Sequence, residues 1–262
     1  MEDSRIDATG RWRHVGAIAI VISLSACSSS LDGKAAAHRP GPEPSAVIQS
    51  MMKALPDPAE LSVMVGATMQ TEFDGPVGGI DVLPNGMGDA SPIECLGVYS
   101  PRMRRTFQDA PVTAAVEGQW EATSESGEPG DADVRITAGL IELDSAGSAH
   151  SWYSKFAAQW QSCQGQTVTM ASAIAGSHEQ NAAEITDVAD TDGLLHAAVL
   201  VSARYTADAR MPLVKQRALT AAARFIVDVQ VVRISTDSAN HVADDEAVAV
   251  AHLIANRIVS TQ

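Results

Sequence analysis

Leu213-Val-Lys-Gln-Arg-Ala-Leu-Thr220 and Ala223-Arg-Phe-Ile-Val-Asp-Val-Gln-Val-Val-Arg-Ile234 are two β-type runs separated by Ala221 and Ala222. In the second, Phe225, Val227, Val229 and Val231 alternate with Arg224, Asp228 and Gln230. Alternation of this kind marks a strand with one face buried and one face in water. The two runs pair as a hairpin, and the rest of the chain builds outward from it. Leu194–Arg204 is apolar at successive positions, which places it centrally in a sheet covered on both faces. Gln166–Ser172 and Ala182–Val188 read as shorter strands. Val112–Thr123 and Val134–Leu143 read as two more, joined by the polar turn over 124–131.

The clearest helix covers Ser145–Gln164. Ala146, Ala149, Tyr153, Phe156, Ala157 and Trp160 fall on one face at the helical period, and Gly165 follows as a stop. A second helix starts at Asp57-Pro58-Ala59-Glu60, with an N-cap Asp, Pro at the first position and a carboxylate at the third, and runs to about Val65 before Gly66. A third closes the chain over about Ala243–Val259, with Asp244, Asp245 and Glu246 in its first turn and Arg257 in its last. Pro101–Phe107 reads as a short helix. Residues 71–92 carry Gly75, Pro76, Gly78, Gly79, Pro84, Gly86 and Gly88 and read as a long loop, the kind that often carries function. The class is α+β: one mostly antiparallel twisted sheet with helices packed on a face, in a single domain over 46–262.

The segments before residue 46 have another character. Arg5, Arg11 and Arg13 precede the apolar run Val15–Leu24. That run, about 10 residues, suits a signal-peptide core and is short of the ~20 residues that span a bilayer. It ends in Leu24-Ser25-Ala26-Cys27, which resembles the bacterial lipoprotein lipobox: an aliphatic residue, two small residues and the cysteine that takes the lipid. The reading is a signal peptide over 1–26, a lipidated Cys27 and a flexible tether over 27–45. Pro40, Pro42 and Pro44 make that tether extended. The implied location is the outer face of the cell membrane, reached through a lipid anchor.

Composition removes several function classes. Lys and Arg number 18 against 32 Asp and Glu, a net charge of -14 that is unsuited to nucleic acid or to anionic lipid heads. Aromatics are 4%, too few for base-stacking platforms. Three cysteines cannot build a four-thiolate metal or cluster site. There is no G-x-S-x-G elbow, and Gly75–Gly79 lacks the Lys-Ser/Thr and the setting of a phosphate loop. The seven histidines show no metal-binding spacing. His241 near Asp244 and Asp245 reads as part of an acidic helix start, and His196 reads as a hydrogen-bonded core histidine. Asp187, Asp190 and Asp192 have the wrong spacing for a calcium loop, since Ala198 stands where its glutamate belongs. No metal and no cofactor is expected.

Four motifs form a resemblance: Cys95-Leu-Gly with Pro101, Val116-Glu-Gly-Gln-Trp120, Trp160-Gln-Ser-Cys163, and Gln216-Arg-Ala-Leu219 with Phe225-Ile-Val-Asp-Val229. Together they are similar to the PknH-like extracellular sensor domain, found on a mycobacterial serine/threonine kinase and in many mycobacterial lipoproteins. The resemblance covers roughly residues 46–262. It implies an α+β domain outside the cytoplasmic membrane, a cleft for an unidentified ligand and no catalytic residues. That family commonly carries a second cysteine pair near Lys215 and Val232; this chain has neither cysteine, so its last hairpin is less constrained.

Export places Cys95 and Cys163 in an oxidising compartment, and with Cys27 taken by lipid they are the pair left to form a disulfide. Trp152 lies off the Tyr153/Trp160 face of the long helix and is the candidate for an exposed contact. Trp152 and Tyr153, beside the loop over 71–92, are the expected ligand-binding residues. The functional reading is an exported, lipid-anchored, non-catalytic and monomeric module that binds an envelope ligand or protein. The alternatives are a structural or interaction lipoprotein without a small-molecule site, and a hydrolase, for which no nucleophile–base pair can be placed.

Overall fold

The computed structural model describes residues 45–122, 134–171, 180–204, 210–234 and 245–260. Residues 1–44, with Cys27 and the segments read as leader and tether, and also His241 and Asp244, lie outside the described residues. The chain begins with helix α1 (Ala46–Ala54), capped by the Ser45 hydroxyl accepting from the Ile48 amide. Helix α2 (Pro58–Val65) follows with a full capping box: Asp57 accepts from the Glu60 amide and Glu60 accepts from the Asp57 amide. It stops at Gly66, whose φ of 67° is the left-handed turn a side chain resists.

Among the described residues eight strands form one sheet: β1 (Met69–Asp74), β2 (Val112–Ala122), β3 (Val134–Leu143), β4 (Thr167–Ala171), β5 (Gln180–Thr191), β6 (Leu194–Arg204), β7 (Arg210–Ala222) and β8 (Phe225–Ile234). Their order is β1-β2-β3-β8-β7-β6-β5-β4, and every neighbouring pair is antiparallel. Between β1 and β2 lie three 3-10 turns and the one-turn helix α3 (Leu96–Tyr99). Helix α4 (Ala146–Cys163) joins β3 to β4, and helix α5 (Glu246–Ser260) follows β8.

The hairpin read from the sequence is present as β7–β8, and it sits deeper than the alternation indicated. Strand β8 lies between β3 and β7 near the middle of the sheet. Val227, Val229 and Val231 pack into one core with α1, α2 and α5, while Ile226 packs into a second core with α4 and α3. Helices therefore cover both faces of the sheet. Asp228, expected in water, is buried. Strand β6, expected at the centre, is sixth in the order; its residues Leu195, Ala197, Val199 and Val201 face the α4 core. Periodicity alone does not separate a central strand from one near an edge.

Helix α4 matches its expected span and buries Ala149, Tyr153, Phe156, Trp160 and Cys163. Strand β5 runs further than the short strand expected, continuing through a register shift between Thr186 and Ala189. The short helix expected over Pro101–Phe107 is instead α3 just upstream and a 3-10 turn at Arg104–Phe107. Helix α1 and strand β1 were not foreseen. β1 precedes Cys95, so that cysteine follows the first strand instead of preceding it.

Candidate functional site

The α4-side face of the sheet changes character along its strands. Under α4 the cross-strand row Ala115, Ile141, Ile226 and Ala221 is wholly apolar. Two residues further on, the row is Glu117, Gly139, Asp228 and Leu219. The next is Gln119, Thr137, Gln230 and Arg217, and the last is Glu121, Arg135, Val232 and Lys215. Side chains at every second position share a face. Half of this face is therefore hydrophobic core and half is a polar platform four strands wide.

A buried ion network separates the halves. Arg102, held at a φ of 54°, lies over Gly139 and donates to Glu117, while its amide donates to the Asp228 carboxylate at 2.7 Å. Gln119 also donates to Glu117. Arg217 is fully buried; it pairs with Asp228 at 2.8 Å and donates to the carbonyls of Gly97, Val98 and Val229. It thereby clamps α3 onto the sheet. Burial pulls the Arg217 proton affinity down, and Asp228 opposes that pull.

Beyond the network the platform has unmet bonding capacity. The Gln230 Oε1 is buried without a hydrogen-bond partner. The partly buried Lys215 side chain makes no ion pair or hydrogen bond among the described residues; its ammonium stands 3.7 Å from the centre of the Tyr99 ring. Burial, with the nearby Arg217 charge, lowers the Lys215 pKa to about 7. Lys215 pairs directly with Val232, so the positions where the resemblance places a second cysteine pair do face each other across the hairpin. Sequence reading missed Lys215 and Gln230 because polar residues interspersed with valines look like a solvated face. The available signal was their shared parity with Arg217 and Asp228, two opposite charges placed side by side by the hairpin.

The residues singled out from the sequence lie elsewhere. Cys95 and Cys163 form a disulfide with Cα atoms 5.6 Å apart, joining the start of α3 to the end of α4. Trp152 is not a free surface group: it packs against Phe107 and Phe156, at centroid distances of 6.4 and 6.1 Å, with Lys155 on its face. Tyr153 is buried, and burial with the neighbouring Asp190 carboxylate pushes its pKa up. Loop residues Leu83 and Ala90 enter the same core as Tyr153, so loop and helix meet as packing. The His196 side chain makes no hydrogen bond among the described residues. It lines a cavity of about 100 Å³ with Asp187, Gln216 and Asp245.

On the opposite face, a groove of about 280 Å³ runs between α1, α5 and the β8 start, walled by Val47, Met51, Leu140, Phe225 and Ile258. Among the described residues no cluster of three or more His, Cys, Asp or Glu side chains is placed to hold a metal. Among them also, no helix is long and apolar enough to cross a membrane.

A family model described as PknH-like extracellular domain matches residues 44–257. The fold is similar to the crystal structure of the extracellular domain of PknH from Mycobacterium tuberculosis. That likeness has a TM-score of 0.64 at 17% identity and covers 85% of this chain and 99% of that one. An uncharacterised protein from Mycobacterium smegmatis aligns with a TM-score of 0.36 at 10% identity, over 80% of this chain and 95% of that one. No curated protein matches the chain.

Proposed function

The chain belongs to the PknH-like extracellular domain family, and on that premise we propose that it is an exported, lipid-anchored module that binds an envelope ligand without transforming it. The binding site in this reading is the polar platform of Gln119, Thr137, Gln230 and Lys215. The observation that carries it is the row Gln119, Thr137, Gln230 and Arg217, with Lys215 one row further along β7: four neighbouring strands carry polar side chains on a face that is apolar two rows away. A sheet face needs no such row for stability, since a buried polar group without a partner costs ~1–3 kcal/mol. Ligand hydroxyl, amide or acidic groups would supply the missing partners.

The carboxylates nearest the platform favour binding over catalysis. Glu117 is engaged by Arg102 and Gln119, Asp228 by Arg217 and the Arg102 amide, and Glu121 by Arg135. A general acid or base needs a carboxylate free to exchange its proton with a substrate. The lipid anchor rests on the lipobox at Cys27, and the extended tether behind it sets the domain off from the bilayer.

Native mass spectrometry of the full chain extracted from its own membranes tests the site. A co-purifying small molecule is expected, and it should be lost from the Gln119→Ala/Gln230→Ala variant. Retention of that molecule at full occupancy by the variant would overturn the platform reading. The anchor is tested separately: Cys27→Ser should remain unprocessed and carry no acyl label, and a fully labelled variant would overturn it.

A further inference from the structure

We infer that Lys215 anchors an acidic group of the ligand, a carboxylate or a phosphate or sulfate ester; this rests on the platform being the ligand site. The argument begins with charge. Arg102 and Arg217 face Glu117 and Asp228, two cations against two anions, all four buried and mutually bonded. Arg135, in the same row as Lys215, pairs with Glu72 and Glu121, and Lys215 is the cation of this face for which the described residues supply no anion. It projects from β7 on the same face, between Val199 of β6 and Val232 of β8, both apolar. The charged or titratable groups placed around it are Tyr99 of α3 below the ammonium and Arg217 two residues along the strand. Neither is an anion. A partly buried amine held against an aromatic ring, beside a guanidinium and with no acceptor among the described residues, is a donor open to a ligand's acid group.

Gln230 gives the ligand its second feature. It stands opposite Arg217 on the adjacent strand, diagonal to Lys215. Diagonal positions are about 7–8 Å apart, near the span of a single sugar ring with its substituents. The Gln230 Oε1 needs a donor, and Lys215 needs an anionic acceptor. A hydroxylated acid provides both: its acid group meets the amine and a hydroxyl meets the amide oxygen.

The site has a built-in pH signature. The unliganded amine loses its proton near pH 7, since burial and Arg217 both favour the neutral form. An acid group binds the ammonium, so binding must take up a proton above that pH. Affinity for an anion whose own charge is fixed should fall about tenfold between pH 6 and pH 8.

The test is calorimetric titration of the full chain with three probes: sulfate, which does not titrate in this range, D-glucuronate, which adds hydroxyls to a carboxylate, and D-glucose, which lacks the acid. Sulfate and D-glucuronate are expected to bind with the tenfold pH dependence, with D-glucuronate the tighter and D-glucose at least tenfold weaker than D-glucuronate. Lys215→Gln should lose both anions while retaining the wild-type circular dichroism spectrum. Lys215→Arg, which keeps the charge at every pH tested, should bind with a flat pH profile. Equal anion binding by wild type and Lys215→Gln, or none by wild type at pH 6, would overturn the inference. If Lys215→Gln still retains the co-purifying molecule while Gln119→Ala/Gln230→Ala loses it, the acid anchor falls and the platform stands.

Discussion

Arg102 lies across the notch left by Gly139. A Cβ at position 139 would stand 1.8 Å from the Arg102 Cδ, so the backbone of β3 is the floor on which the guanidinium rests. Arg102 reaches from there to Glu117 on one neighbouring strand and, through its amide, to Asp228 on the other. The contact explains why Val134–Leu143 carries a glycine where a strand would otherwise prefer a branched residue.

Gly139→Ala should therefore displace Arg102 and leave Glu117 buried without its cation. The expected loss is about 2–4 kcal/mol, combining overpacking with a broken buried pair. Urea unfolding monitored by tryptophan fluorescence measures it. A variant with an unchanged midpoint would show that Arg102 is not confined as described.

Removing one partner of the Arg217–Asp228 pair should cost about 3–5 kcal/mol, because the survivor is a buried charge. Arg217→Met also frees the carbonyls of Gly97 and Val98, so α3 should loosen more than in Asp228→Asn. Hydrogen exchange at Leu96–Ser100 distinguishes the two variants. Equal protection in both would argue against Arg217 as the clamp.

The Cys95–Cys163 disulfide closes a 68-residue separation. The chain-entropy model assigns about 4 kcal/mol to a loop of that size. Replacing both cysteines by alanine should lower stability by about that amount while keeping the strand content. Two thiols titrating with Ellman's reagent in the unreduced, denatured protein would contradict the bridge.

Lys215 also makes a prediction for stability against pH in the absence of ligand. Its folded pKa, about 7, lies below that of an unfolded lysine, so between these values the unfolded chain binds the extra proton. Stability should rise with pH above about 7, and Lys215→Met should flatten the rise and gain stability at pH 6. Tyr99 and Tyr153 act oppositely at higher pH: their raised pKa values mean that stability falls once unfolded tyrosine ionises, near pH 10. Denaturation midpoints from pH 6 to 9 isolate the lysine. A Lys215→Met profile parallel to wild type would remove it as the cause.

Much of this architecture was written in local patterns. The capping box at Asp57 and Glu60, the aromatic stripe of α4 and the β7–β8 hairpin are short-range features, and each is found where the residues indicated. The cysteine pairing followed from count and compartment. Depth in the sheet was another matter. Asp228 reads as solvated because its neighbours alternate; its burial depends on Arg217 from the next strand and on the Arg102 amide, both far from it in sequence. Trp152 is half-buried for a reason equally invisible locally: Phe107, 45 residues upstream, stacks against it. The candidate site was invisible because its rows exist only across strands, and no single stretch of sequence contains one.

The strand order has a consequence for how the chain reaches this state. β1 to β3 form one meander and β4 to β8 another, and the two meet only where β3 pairs with β8. At the end of that seam Glu142 lies opposite Phe225, partners separated by all of α4 and four strands. Each meander has local pairings to guide it, whereas the seam must close a loop of more than 80 residues before any of its bonds form. The rate of folding should therefore be governed by that single junction. Sequence changes along β3 and β8 should slow the approach to the native state, while changes in the outer strands should mainly speed its loss.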